Sequence, residues 1–153
     1  MSTPATQSTP RTRTDFDPVA GVAAVLVPGA GHFLRGERLR AAHIAAGVLG
    51  LFVVGLLIGG IGVVDRRDNY FWFIPQGIVG PAAFGVDYLH QNHFKVRDDL
   101  HGGRPRALGP GEKPRYRRSL GKSNELGTLF CAIAGMVNLI VIIDAAFPTR
   151  RLP

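Results

Sequence analysis

The stretch VPGAGHFLRGERLRAAH, residues 27–43, decides how this chain is read. A Pro-Gly-Ala-Gly break, a histidine, an aromatic and an Arg/Glu cluster are crowded between two apolar runs. Two arrangements bring such residues together: a catalytic loop, or a bend between membrane-embedded helices anchored by charge at the lipid surface. Gly29 and Gly31 allow a tight turn. Arginines hold such a turn at the water boundary, because their aliphatic stems tolerate apolar surroundings while the head stays wet. The flanks favour the bend.

Apolar residues make up 46% of the 153 positions, an ordinary share, but they fall in blocks with the charges between them. That clustering is the mark of a multi-spanning chain. The predicted fold is all-α, a helical integral membrane protein with four membrane-embedded segments, the first short and broken at Pro28–Gly31. Segment 18–34 opens at Pro18, a favourable first helical position. Its unbroken apolar part, Val19 to Val27, is shorter than the roughly 20 residues a crossing needs. It therefore either continues brokenly to Leu34 or dips in and returns, with the next helix covering Gly29 to Gly31. Segment 39–64 is the strongest, with 21 uncharged residues after His43. Segment 71–89 carries an aromatic belt (Tyr70, Phe71, Trp72, Phe73) and is predicted to be one kinked span, bent at Pro75 and Pro81. Segment 126–147 closes the domain 18–147.

Residues 1–17 are rich in Ser, Thr and Pro and are expected to form a disordered tail; a cleaved leader is not expected. Residues 148–153 form a short tail. The loop 90–125 holds nine of the 18 Lys and Arg and is expected to be mobile, with one short interfacial helix around Gln91 to Leu100. A net charge of +7 raises nucleic acid as a partner. A basic loop beside apolar spans is read instead as a topology signal, with no nucleic-acid partner. Arg104, Arg106, Lys113, Arg115, Arg117 and Arg118 are its candidate contacts to anionic headgroups or to a protein. If the first segment re-enters, the tail, residues 35–40 and the loop share a side with 14 of the 18 basic residues. If it spans, the split is 12 against 6. Both put the loop in the cytoplasm, with the protein in a bacterial inner membrane.

Small residues mark helix contacts in lipid. Gly55 and Gly59 form a GxxxG pair, and Gly127, Cys131 and Gly135 continue a small face on the last segment, serving contacts within the chain or with another copy. Cys131, the single cysteine, excludes an intrachain disulfide. Gln76, Asn138 and Asp144 are the intramembrane polar candidates. Gln76 and Asn138 are expected at comparable depth as hydrogen-bonding partners, and Asp144 beside Arg66 and Arg67. Asp87 lies toward the opposite face. His32, Glu37 and His43 are the only hint of an orphan membrane enzyme or metal site. No nucleotide, hydrolase or zinc-protease motif accompanies them, so no catalytic role, metal or cofactor is expected.

The hairpin residues Pro28, Gly29, Gly31, His32, Phe33, Gly36 and Arg40 resemble the P-G-x-G-H/Q-aromatic turn of small bacterial membrane proteins related to the two-transmembrane ("TM-two") domain. YFWFIPQGIVGPAA and ELGTLFCAIAGMVNLIVIIDA are similar to stretches of a narrower bacterial family of unknown function that shares this turn. The resemblance covers most of residues 19–147 and implies an integral helical protein, with no activity to transfer. The expectation is a non-enzymatic accessory or scaffold subunit; a small transporter or channel using Gln76, Asn138, Asp87 or Asp144 is the alternative.

Overall fold

The structure, a computed structural model, describes residues 12–98, 104–106, 109–110 and 122–151. It is helical throughout its body. Two helices are long and apolar enough to cross a membrane: α3, Arg38–Gly59, and α6, Lys122–Ala146. At 1.5 Å per residue they measure about 33 and 37 Å, enough for a hydrocarbon core of about 30 Å. Small residues draw them together. A Cβ on Gly55 would meet Cys131 Sγ and the Gly127 carbonyl, and one on Gly127 would lie 2.6 Å from the Gly59 Cα. The two small-residue spacings therefore face each other across one backbone-close contact, the most extensive in the fold.

The remaining helices form two hairpins that enter this pair from opposite ends. In the first, α1 (Pro18–Leu26) leads to an extended Val27, and Pro28 cannot supply the N–H that would prolong the helix. Gly29, at φ +85°, reverses the chain into α2, Ala30–Leu34. Both limbs start and finish beside the end of α6: the Asp17 N–H donates to the Ala146 carbonyl (2.7 Å), and Arg35 Nη1 donates to the Ala145 carbonyl (3.1 Å). Gly31 fits between the Ala20 carbonyl and the Ala145 methyl. The first segment thus returns to the end it came from.

The second hairpin corrects an expectation. Residues 71–89 do not make one kinked span but two short helices, α4 (Tyr70–Gly77) and α5 (Pro81–Leu89), that fold back on each other. Pro81 forces the residue before it out of helical geometry, and Gly80 takes φ +96°. Phe73 and Phe84 then meet edge to face at 5.3 Å across the two limbs. The bases close together, since the Arg66 N–H donates to Asp87 Oδ1 (2.9 Å). The two hairpin tips touch inside the bundle, where Gly80 lies against the Val25 and Leu26 carbonyls.

Because the third segment turns back, the beginning of the loop at His90 and the start of α6 lie at the same end as Arg66 and Arg67. Residues 35–40 lie at the other. The expected grouping of the basic loop with residues 35–40 is therefore reversed. The helix expected around Gln91 to Leu100 is only a π-helical turn, His90–Phe94, followed by a strand, β2 (Val96–Asp98), paired antiparallel with β3 (Arg104–Arg106).

Nor is the tail shapeless throughout. A strand, β1 (Thr12–Thr14), pairs antiparallel with β4 (Thr149–Arg151), and Phe16 stacks against Phe147 at 5.1 Å. Asp17 Oδ1 accepts from the Ala20 N–H as the cap of α1. Residues 1–11 lie outside the described residues, as do Lys113, Arg115, Arg117 and Arg118. Arg104 and Arg106 are placed only as backbone of β3.

Candidate functional site

Each hairpin is latched at its base by a polar cluster, and the clusters occupy opposite ends of the bundle. At the end holding both strands β1 and β4, His32 is fully buried on α2, with Nε2 donating to Asp144 Oδ2 at 2.8 Å. Arg40 Nη2 donates to the same oxygen at 2.6 Å. Glu37 accepts from Arg35 and Arg40, and the Arg35 bond leads the influences that hold its carboxyl below the usual range. The turn, the start of α3 and the end of α6 are thereby tied into one unit. Asp144 therefore does not pair with Arg66 and Arg67 as expected, because they sit at the far end of the bundle. His43 does not join this group: its Nδ1 is engaged by the Leu39 carbonyl on the exposed face of α3. Phe33 and Gly36 are exposed at the turn, and Gly36 has φ +82°.

The second cluster brings Asp87 to Arg66, whose face it was expected to oppose, and joins them to residues the sequence does not single out. Asp65 and Lys95 are 3% and 7% exposed, so this is a buried ion pair. Lys95 Nζ donates to Asp65 Oδ2 and to Asp68 Oδ2, both at 2.8 Å. Asp65 Oδ1 accepts from the Arg67 and Asp68 N–H groups and from Gln91 Nε2. Gln91 also donates to Asp87 Oδ1, whose partner oxygen lies 3.7 Å from Arg66 Nε. The loop between α3 and α4 is thus stitched to the exit of α5. Only spatial proximity reveals this, because 30 residues of sequence separate the two charges.

The titration of this cluster has a definite sign. Burial pushes the Asp65 carboxyl upward, but the Lys95 ammonium and the Asp68 and Arg67 N–H groups outweigh it and hold the carboxyl below its ordinary 3.8. For His90, burial is the leading cause and Lys95 adds to it, against the carboxylates of Asp65, Asp87 and Asp68, so the imidazole titrates below its ordinary 6.5. A depressed histidine stabilises the fold fully above the unfolded value and loses that contribution as pH falls through the folded one. The same holds for Asp65 in a lower window. We therefore expect the melting temperature in mild detergent to fall on acidification from pH 7 to 5 and again below pH 4. His90→Gln should erase the first step; a first step that survives this change would assign it elsewhere.

Between the clusters, Gln76 and Asn138 are fully buried. They do not bond to each other. Gln76 Nε2 donates to the Val63 and Thr128 carbonyls (3.1 and 3.3 Å), and Asn138 Nδ2 donates to the Ile78 carbonyl at 2.8 Å. Both amides secure the second hairpin against its neighbours, at different heights along α6. Their oxygens have no hydrogen-bond partner among the described residues. Gly135 lies directly against the Pro75 carbonyl, closing the same contact. Among the described residues no three His, Cys, Asp or Glu side chains converge to hold a metal.

Opposed hairpins between two long apolar helices, each latched by charge, define a helical bundle of membrane character. The chain belongs to DUF6677, a family of unknown function, which it matches over residues 19–152. No curated protein and no solved structure matches it.

Proposed function

We propose that this is a non-enzymatic, multi-pass protein of the bacterial inner membrane that serves as an accessory or scaffold subunit. Two crossings, α3 and α6, would carry two re-entrant hairpins. The observation behind this reading is the pairing of a closed interior with an apolar exterior. Gly31, Gly55, Gly127 and Gly135 bring backbones into contact inside, while Leu57, Ile140, Phe71 and Leu39 stand 67–86% exposed outside. Such a surface is suited to acyl chains and to neighbouring subunits. Kinship with the two-transmembrane domain, carried by the turn at Pro28 to Arg40, belongs to the same reading.

With two crossings, Arg11, Arg13, Arg35, Arg38, Arg40, Arg150 and Arg151 flank one surface and the other 11 of the 18 basic residues flank the opposite one. The loop 90–125 is then cytoplasmic, and Arg104 to Arg118 meet anionic headgroups at about 1 kcal/mol per charge near the surface. Single cysteines at Arg67, Asn92 and Thr149 test the topology against a quiet background, since Cys131 is fully buried. Positions 67 and 92 should be labelled from the cytoplasmic face and 149 from the other. Labelling of 67 and 92 from opposite faces would restore a third crossing and defeat the two-hairpin reading. The scaffold role predicts a membrane partner at fixed stoichiometry in mild detergent, and a lone monomer would count against it.

The unpartnered oxygens of Gln76 and Asn138 favour a second reading, a small transporter or channel. Under it, Asn138→Leu abolishes a solute flux while abundance and assembly persist.

A further inference from the structure

At the end of the bundle bearing the Asp65–Lys95 cluster, a cavity of about 630 Å³ opens between the start of α4 and the first turns of α6. That size lies within the range of small-molecule sites. Its chemistry is ordered along the α6 axis. Lys122, Asn124 and Glu125 come first, on the first turn, and Leu126, Thr128 and Leu129 follow. Asn69 and Trp72 form the facing wall. Trp72, Tyr70 and Phe71 are 48%, 61% and 86% exposed, an aromatic group of the kind found at headgroup level. Along α6 the lining therefore runs from two opposite charges, past the facing indole, to Leu126 and Leu129, with the Thr128 hydroxyl already donated to the Asn124 carbonyl. A phospholipid presents the same order: charged headgroup, glycerol boundary, acyl chain.

We propose that this cavity holds one phospholipid of the zwitterionic, amine-bearing class, phosphatidylethanolamine; the proposal rests on the membrane reading above. Its phosphate lies toward Lys122 and Asn69. Its primary ammonium donates to the Glu125 carboxylate and lies against the Trp72 ring, which attracts cations. One acyl chain follows Leu126 and Leu129. The carboxylate gives the site its selectivity. A phosphatidylglycerol headgroup brings no cation to Glu125, and a trimethylammonium has no N–H to donate.

Trp72 is the single tryptophan of the chain and so reports from within the cavity. The full chain is reconstituted in phosphatidylcholine vesicles doped with acyl-brominated phosphatidylethanolamine, phosphatidylglycerol or phosphatidylcholine, whose bromines quench indole fluorescence on contact. The ethanolamine lipid should quench at a several-fold lower mole fraction than either other lipid. Glu125→Gln, at an exposed position, should remove that preference, and Lys122→Gln should weaken quenching by both phosphatidylethanolamine and phosphatidylglycerol. Equal quenching by all three means annular lipid only and overturns the site while leaving the membrane reading intact. Preference for phosphatidylglycerol overturns it in favour of an anion site. No quenching by any lipid removes Trp72 from the bilayer, overturning the site and the placement of α4 together.

Discussion

Gly135→Ala should cost about 3 kcal/mol, the upper end for overpacking a close contact, and Gly135→Leu should leave no folded protein. The added Cβ meets the carbonyl oxygen of Pro75, a backbone atom, with the Pro75 carbonyl carbon 2.8 Å away. A flexible side chain would swing aside, but this carbonyl is held inside α4, and α4 is pinned by the Gln76 and Asn138 amides on either side. Relief requires the second hairpin to leave α6. The controls are Gly47→Ala and Gly50→Ala in α3, where a Cβ meets nothing within 4 Å; these should be neutral or stabilising by up to about 1 kcal/mol through helix propensity. Thiol-reactive melting curves in mild detergent check all of them, because Cys131 is buried in the fold and becomes reactive when α3 and α6 separate. A Gly135→Ala protein that melts with the parent would show that the α4–α6 contact is looser than described.

Lys95→Met is expected to cost 3–5 kcal/mol, the range for removing one partner of a buried ion pair. The ammonium serves two carboxylates, and the more buried of them, Asp65, is left with its N–H donors, Gln91 and the titratable His90 imidazole 3.6 Å away, but no permanent countercharge. The penalty is the stranded charge rather than the lost attraction, so the double replacement Asp65→Asn/Lys95→Met should recover a good part of it. The same thiol melts give each corner of the cycle. A double variant no better than Lys95→Met alone would mean that Lys95 contributes by some route other than neutralising Asp65.

The two long helices were legible because the 21 uncharged residues after His43 and the 18 from Leu126 to Ile143 are uninterrupted by proline, whereas the 18 between Asp68 and Asp87 contain two. The first hairpin was partly legible for a related reason: an apolar run that stops at Pro28-Gly29 is too short to cross. The second was misread because prolines inside an apolar segment serve equally as kinks in a crossing helix. Gly80-Pro81 was the residue pair that discriminates, since a glycine free to take positive φ, kept out of helical geometry by a proline that starts the next helix, permits a full reversal. The Asp65–Lys95 latch was invisible for a different reason. Nothing local marks either residue, and their partnership follows only once α4 and α5 fold back and bring the two connecting segments together. Asp144 illustrates the same dependence, since its arginine changed when the third segment ceased to be a crossing.

The clasp between Thr12–Thr14 and Thr149–Arg151 carries a consequence for biogenesis. The first hairpin is among the earliest parts of this domain to leave the ribosome, yet its seat is Asp144, Ala145 and Ala146, which emerge after every other helix has been made. During synthesis His32 and Arg35 must wait without their α6 partners while α3 through α5 are made. A nascent chain stalled before residue 144 would therefore hold an unseated hairpin, with His32 and Arg35 lacking the acceptors that α6 supplies in the finished fold.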